Sequence, residues 1–137
     1  MATKMKNIGI VVAKFNPEIT DAMLKNAEKR AKEVGLKVQR VIKVPGAFEI
    51  PYAAEKLLSK KEIDGVVTLG AIIKGDTDHD QVIAHSIAKA MIELSISFHK
   101  PVSLGVLGPN ITWEQAEKRV AEYPKRAVDA VLEMIHI

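Results

Sequence analysis

The 137-residue chain contains no cysteine, which excludes disulfide bonds, thiolate zinc sites and cysteine nucleophiles. Aromatic residues make up only 4%, and basic residues alternate with acidic ones, a pattern typical of solvated helix faces and not of a nucleic-acid-binding surface. The apolar run from Ile8 to Ala13 is too short for a membrane span or a signal-peptide core. We therefore expect no nucleic-acid or membrane partner, and a cytoplasmic protein.

Apolar residues are nevertheless frequent, at 47%, which is enough for one buried core. Residues 1–137 show no linker, repeat or low-complexity tract, so a single domain is expected. Short β-rich runs alternate with longer segments of helical periodicity. This alternation predicts an α/β fold: a three-layer αβα sandwich, flavodoxin-like, whose four-stranded, mainly parallel sheet carries helices on both faces. The predicted strands are residues 7–13, 37–44, 65–73 and 101–107.

Three local signals mark the predicted element boundaries. Asn16 before Pro17 is typical of a helix N-cap followed by proline in the first turn. Thr112 and Gln115 fit a capping box, in which each side chain bonds a free backbone N–H of the helix start. Between the fourth strand and that helix, Gly108, Pro109 and Asn110 predict a turn.

The segment GDTDHDQVIAH, Gly75 to His85, concentrates polar groups directly after the third predicted strand. A calcium loop is excluded because Gln81 and Ile87 stand where glycine and glutamate are needed. A helical zinc pair is excluded because His79 and His85 lie six residues apart, on different helix faces. We therefore expect no metal site.

Two interpretations of this segment stay open on local grounds. Its position, after a parallel strand and before a helix, favours a turn that binds phosphate through backbone N–H groups. Its acids instead favour a plain helix N-terminus, and neither glycine-rich nucleotide fingerprint is present. A phosphate would need nearby cations, for which the candidates are Lys74, Arg119 and Lys125.

Four ordered blocks, VVAKFNPEIT, VPGAFEIP, LGAIIKGDTDHD and EQAEKR followed by a lysine, together resemble the lumazine synthase family. The resemblance runs from about Ile8 to about Glu133, and the Gly108-Pro109 insertion is similar to archaeal members. It implies a transferase of riboflavin biosynthesis that condenses 5-amino-6-ribitylamino-pyrimidinedione with 3,4-dihydroxy-2-butanone 4-phosphate. The products are 6,7-dimethyl-8-ribityllumazine, phosphate and water, and the family uses no cofactor.

The resemblance also implies a role for each matching residue. His79 matches the histidine that moves protons, a task suited to a side chain whose ordinary pKa lies near working pH. Asp78 and Asp80 are then expected to be helix N-terminal charges without a chemical role. The matched substrate-binding positions are Phe15, Ala47, Phe48, Glu49, Ile72, Ile73, Leu104 and Lys125, with Phe15 stacking on the pyrimidinedione. The matched phosphate-binding positions are Gly75, Asp76, Thr77 and Arg119.

In this family the site lies between adjacent subunits of a homopentamer, so Leu104, Arg119 and Lys125 are expected to reach a neighbour's site. Many members assemble twelve pentamers into an icosahedral shell. Leu104 departs from the phenylalanine of many bacterial members, and His85-Ser86 departs from their asparagine and glutamate. Two other interpretations stay open: a catalytically inert, possibly engineered, self-assembling scaffold on the same fold, and an unrelated flavodoxin-like binding protein.

Overall fold

A computed structural model of the chain describes residues 4–137. Four strands form one sheet in the order β2-β1-β3-β4, and every neighbouring pair is parallel. The strands are β1 (Asn7–Ala13), β2 (Lys37–Val44), β3 (Gly65–Ile73) and β4 (Val102–Ile111). The helices are α1 (Pro17–Glu33), α2 (Ile50–Leu58), α3 (His79–Phe98), α4 (Trp113–Glu117) and α5 (Glu122–Ile135), with a 3₁₀ turn at Ala47–Glu49. The predicted αβα architecture is confirmed.

The core lies on both faces of the sheet because successive strand side chains point in opposite directions. In β1, Ile8, Ile10 and Val12 pack with α1 and α5 on one face, whereas Val11 and Ala13 pack with α2 and α3 on the other. β3 is buried over most of its length, as expected for a central parallel strand covered on both sides. The three layers leave the carboxyl ends of the strands free of a covering helix, where the connecting loops can form a site.

Contacts between α1 and α5 close the first helical layer. Arg30 donates to Asp129 from Nε at 2.7 Å and from Nη2 at 3.2 Å. The hydrogen bond to Asp129 raises the pKa of Arg30 above its ordinary value, so this guanidinium stays charged. Asn26 of α1 donates from Nδ2 to the carbonyl of Val120 at 2.8 Å. These bonds join α1 to α5 and to the segment that precedes α5.

The turn predicted at Gly108–Asn110 is wrong, because these residues lie inside β4. Ala71 pairs with Leu107 and Ile73 pairs with Ile111, so three residues of β4 stand opposite Ile72 alone. Gly108 has φ 112° and Asn110 has φ 58°, so the backbone departs from regular strand geometry at both residues. Pairing with β3 resumes at Ile111. The polar composition that signalled a turn instead marks a bulge.

Candidate active site

A groove with a volume of about 530 Å³ opens at the carboxyl ends of β1, β2 and β3. Open parallel sheets commonly bind ligands at this edge. Its walls come from the loop after β1, the 3₁₀ turn after β2 and the turn between β3 and α3. The lining residues are Phe15, Asn16, Gly46, Ala47, Phe48, Ala71, Ile72, Ile73, Gly75, Thr77, His79, Asp80 and Ile83.

Two exposed aromatic rings line the groove. Phe15 is 70% exposed and Phe48 is 66% exposed, although large apolar side chains are usually covered. The backbone N–H of Phe15 donates to the carbonyl of Pro45 at 3.1 Å, which joins the loops that carry the two rings. An exposed aromatic pair of this kind offers flat apolar surface to a planar ligand.

Asn16 begins α1, but the predicted side-chain cap is wrong. Its backbone carbonyl accepts from the N–H groups of Ile19 and Thr20, while its side chain makes no capping bond. The residue has φ 63°, a left-handed conformation that asparagine tolerates. Its Nδ2 instead donates across the groove floor to the carbonyl of Ala71 at 3.1 Å.

Glu49 supports the wall that the 3₁₀ turn after β2 forms. Its Oε1 accepts from the backbone N–H of Gly46 at 2.8 Å, which fixes the 3₁₀ turn that carries Ala47 and Phe48. Glu49 itself does not line the groove in the single chain. Its carboxylate therefore shapes the wall from outside the groove.

The third wall is the turn between β3 and α3. Thr77 Oγ1 accepts from the backbone N–H of His79 at 3.2 Å, and α3 begins at His79 with no side-chain cap from Asp78. Gly75 has no other atom within 4 Å of the place where a Cβ would stand. Gly75, Thr77 and His79 line the groove, whereas the exposed Asp76 does not. The arrangement places a helix N-terminus, a hydroxyl and an imidazole beside the aromatic pair.

Asp80 lies in the first turn of α3, as predicted, but unlike Asp78 it is buried. The residue is only 4% exposed, and its Oδ2 accepts from the backbone N–H of Asn110 at 2.8 Å. A buried carboxylate needs such a partner because removing it from water is costly. Sequence patterns could not distinguish Asp80 from Asp78, since the partner lies in the bulge of β4.

Besides Glu49 and Asp76, three further predicted site residues do not line this groove. Leu104, on β4, is 42% exposed and borders a smaller cavity of about 120 Å³ beside His85 and Pro109. Arg119 is exposed on the segment that joins α4 to α5, and Lys125 is exposed near the start of α5. The single chain therefore brings together the aromatic, turn and histidine positions, and leaves these three outside.

Residues 4–137 contain no group of three or more histidine, aspartate or glutamate side chains arranged to hold a metal ion. Within the same range, none of the helices combines the length and apolar character needed to cross a membrane.

The fold and groove define an α/β protein whose candidate ligand site lies at the carboxyl edge of a parallel sheet. A family model described as 6,7-dimethyl-8-ribityllumazine synthase matches residues 5–137. The chain therefore belongs to the lumazine synthase family, and the resemblance of the four sequence blocks is confirmed.

Relatives that carry the name 6,7-dimethyl-8-ribityllumazine synthase agree with this assignment. The protein of Metallosphaera sedula is 54% identical over 127 residues, which cover 93% of this chain and 84% of the relative. That of Saccharolobus islandicus is 49% identical over 135 residues, covering 98% and 88%. That of Staphylothermus marinus is 48% identical over 132 residues, covering 96% and 88%. The predicted archaeal character is confirmed, since such relatives come from archaea.

Proposed function

We propose that the protein condenses 5-amino-6-ribitylamino-pyrimidinedione with 3,4-dihydroxy-2-butanone 4-phosphate, giving 6,7-dimethyl-8-ribityllumazine, phosphate and water. The observation that carries this proposal is the meeting of Phe15, His79 and the Gly75–Thr77 turn in one groove. The family assignment supplies the reaction, and the groove contains a suitable group for each of its parts.

The planar pyrimidinedione would stack on Phe15, with Phe48 beside it, since offset contact with an aromatic face favours a flat ring. The apolar wall of Ile72 and Ile73 would keep water from one side of the ring. Backbone groups at Ala47 would bind hydroxyls of the ribityl chain. Glu49 would hold the 3₁₀ turn that presents them.

The phosphate of the second substrate would sit at the turn before α3. Backbone N–H groups of Gly75 and Asp76 and the Thr77 hydroxyl are donors, and the start of a helix favours negative charge. In this arrangement Asp76 contributes its backbone while its exposed side chain stays in solvent. An anion bound at this turn lies next to His79 along the chain.

His79 would transfer protons during imine formation, phosphate loss and ring closure. Imidazole can accept and donate a proton near neutral pH, which suits a sequence of such steps. The ring is exposed to the groove, so a bound substrate can reach it without a change of fold.

Completion of the site would require a second copy of the chain. Arg119, Lys125 and Leu104 do not line their own groove, and we propose that they enter the groove of a neighbour in a homopentamer. The guanidinium of Arg119 would attract the phosphate, which the nearby carboxylates of the turn would repel. Assembly into a larger icosahedral shell stays a prediction, as does the cytoplasmic location.

Exposed apolar side chains support self-association. On α3, Val82, Ile92 and Ile96 are each more than 60% exposed and recur at spacings that place them along one side of the helix. Ile92 and Ile96 adjoin each other one turn apart, and exposed apolar side chains grouped in this way usually mark an interface. A second copy of the same chain is the simplest partner that would cover it.

A coupled assay tests the proposal. Lumazine formation from both substrates is followed by absorbance, while light scattering measures the assembly in the same sample. Product that tracks a pentamer or larger species is the expected result. A well-formed assembly without product would instead support the inert scaffold, and a monomer that makes product would contradict the shared site.

A further inference from the structure

Residues on both sides of the Gly75–Asp78 turn are bonded to Asn110 of the β4 bulge, and the first side is also bonded to Ile111. At the first end, the backbone N–H of Lys74 donates to the carbonyl of Ile111 at 2.9 Å, and its Nζ donates to Asn110 Oδ1 at 3.2 Å. At the second end, Asp80 Oδ2 accepts from the backbone N–H of Asn110 at 2.8 Å. The turn is thus held at its two ends by one short segment of a different strand.

Asp80 is the buried member of this set. Asp76 and Asp78, on either side of Thr77, are exposed, whereas Asp80 is 4% exposed and faces the groove beside His79. Removing a buried carboxylate leaves its donor unsatisfied, which costs more than the bond itself contributes. The exposed Lys74 side-chain contact is weaker support, because water competes for both of its partners.

The geometry of Asn110 makes the Asp80 bond possible. Asn110 has φ 58° and stands in the outward fold of the bulge, where its N–H has left the β4 ladder. Gly108 allows the same fold with φ 112°. A regular strand would direct this N–H along the sheet, so the bulge and Asp80 function together.

We infer that Asp80 is a positioning residue for the proposed reaction: by accepting the N–H of Asn110 it fixes the start of α3. This fixes the imidazole of His79 and the donors of the phosphate turn relative to Phe15. The inference rests on the proposed function, since it assigns the same groove. Small displacements of groups that bind a reacting substrate can cost large factors in rate.

The decisive comparison is Asp80→Asn against Asp80→Glu. Asparagine has the shape of aspartate and keeps an acceptor oxygen without charge, whereas glutamate keeps the charge but moves it by one methylene. A positioning role predicts that Asp80→Asn stays within about threefold of the native protein and that Asp80→Glu raises the KM for the phosphorylated substrate about tenfold. The KM for the pyrimidinedione should change less, because its main contacts lie on the other walls. The reverse order, with Asp80→Glu active and Asp80→Asn impaired, would overturn the inference in favour of a role for the charge.

Amide hydrogen exchange gives a readout that does not depend on catalysis. Asp80→Ala should speed exchange in residues 75–79 and leave β1 and β3 protected as in the native protein. The control Glu93→Ala removes an exposed carboxylate from a distant part of α3 and should leave both exchange and KM unchanged. Equal exchange in the two variants would overturn the inference.

The two readouts separate this inference from the proposed function. Native protein that makes no lumazine would refute the function, while the exchange comparison would still decide whether Asp80 holds the turn. If Asp80→Ala does not fold, exchange in Asp80→Glu against Asp80→Asn decides the same question. Faster exchange of residues 75–79 in Asp80→Glu than in Asp80→Asn supports the inference that Asp80 holds the turn. Equal exchange in the two variants overturns it.

Discussion

Asn16 and Ala71 join two walls of the groove, through a hydrogen bond of 3.1 Å from the asparagine Nδ2 to the alanine carbonyl. Asn16 follows Phe15 directly and stands in the left-handed region, so its side chain turns inward toward β3 instead of capping α1. The position of the Phe15 ring therefore depends on a contact with the neighbouring strand. This relationship leads to the first prediction.

Replacing Asn16 by glycine should weaken pyrimidinedione binding several-fold. Glycine tolerates φ 63°, so the variant removes the side-chain bond without adding backbone strain. The free energy of unfolding should fall by about 1 kcal/mol. Asn26→Ala is the matched control, because Asn26 makes a similar bond to Val120 far from the groove and should lose stability without a change in KM. Equal KM values in the two variants would contradict the role of Asn16.

Replacing His79 by alanine should lower kcat by about 10²- to 10⁴-fold, the usual contribution of a general acid–base group. The side chain is exposed in the groove, so assembly size by light scattering should stay that of the native protein. His136→Ala, which removes an exposed histidine near the C-terminus, should leave kcat unchanged. A loss below about threefold in His79→Ala would argue against proton transfer by this residue.

Much of the fold could be predicted because its signals are local. The bounds of β1, β2 and β3 agree with the predicted runs, since each run is framed by turn residues. The capping box is confirmed: Thr112 Oγ1 accepts from the N–H of Gln115 at 3.2 Å, and Gln115 Oε1 accepts from the N–H of Thr112 at 3.0 Å. Both partners lie within one helical turn, so sequence spacing alone reveals the contact.

The contacts that sequence reasoning missed all join residues that are distant in sequence. Asn16 fits an N-cap locally, but its partner Ala71 lies 55 residues away. Asp80 resembles Asp78 locally, but its partner Asn110 lies 30 residues away in a bulge that resembled a turn. In each case a polar side chain has a local and a tertiary option, and burial decides between them. The roles assigned to the site residues stay predictions until the variants are measured.

Replacing Gly108 by alanine should destabilise the protein more than the same change at Gly35. Both glycines have positive φ, 112° and 80°, so both variants should lose about 1–2 kcal/mol from left-handed backbone strain. A Cβ at Gly108 would also stand 2.5 Å from the carbonyl oxygen of Ile72, whereas one at Gly35 would meet nothing within 4 Å. Urea denaturation at fixed subunit concentration measures the difference. Equal losses would show that the bulge shifts freely, and would weaken the case that it holds the turn.

Replacing Arg119 by alanine should raise the KM for the phosphorylated substrate about 10- to 100-fold, because a charged hydrogen-bond donor to phosphate is lost. Lys118→Ala removes the adjacent exposed cation and should leave this KM unchanged. Since Arg119 does not line its own groove, the shared site makes a stricter prediction for mixed assemblies. At concentrations of the phosphorylated substrate well below the KM of Arg119→Ala, subunits carrying His79→Ala, co-assembled with equal amounts of Arg119→Ala subunits, should recover activity in about a quarter of the sites, because one interface then combines both native residues. Mixtures that stay as inactive as either variant alone would place Arg119 and His79 in the same chain's site.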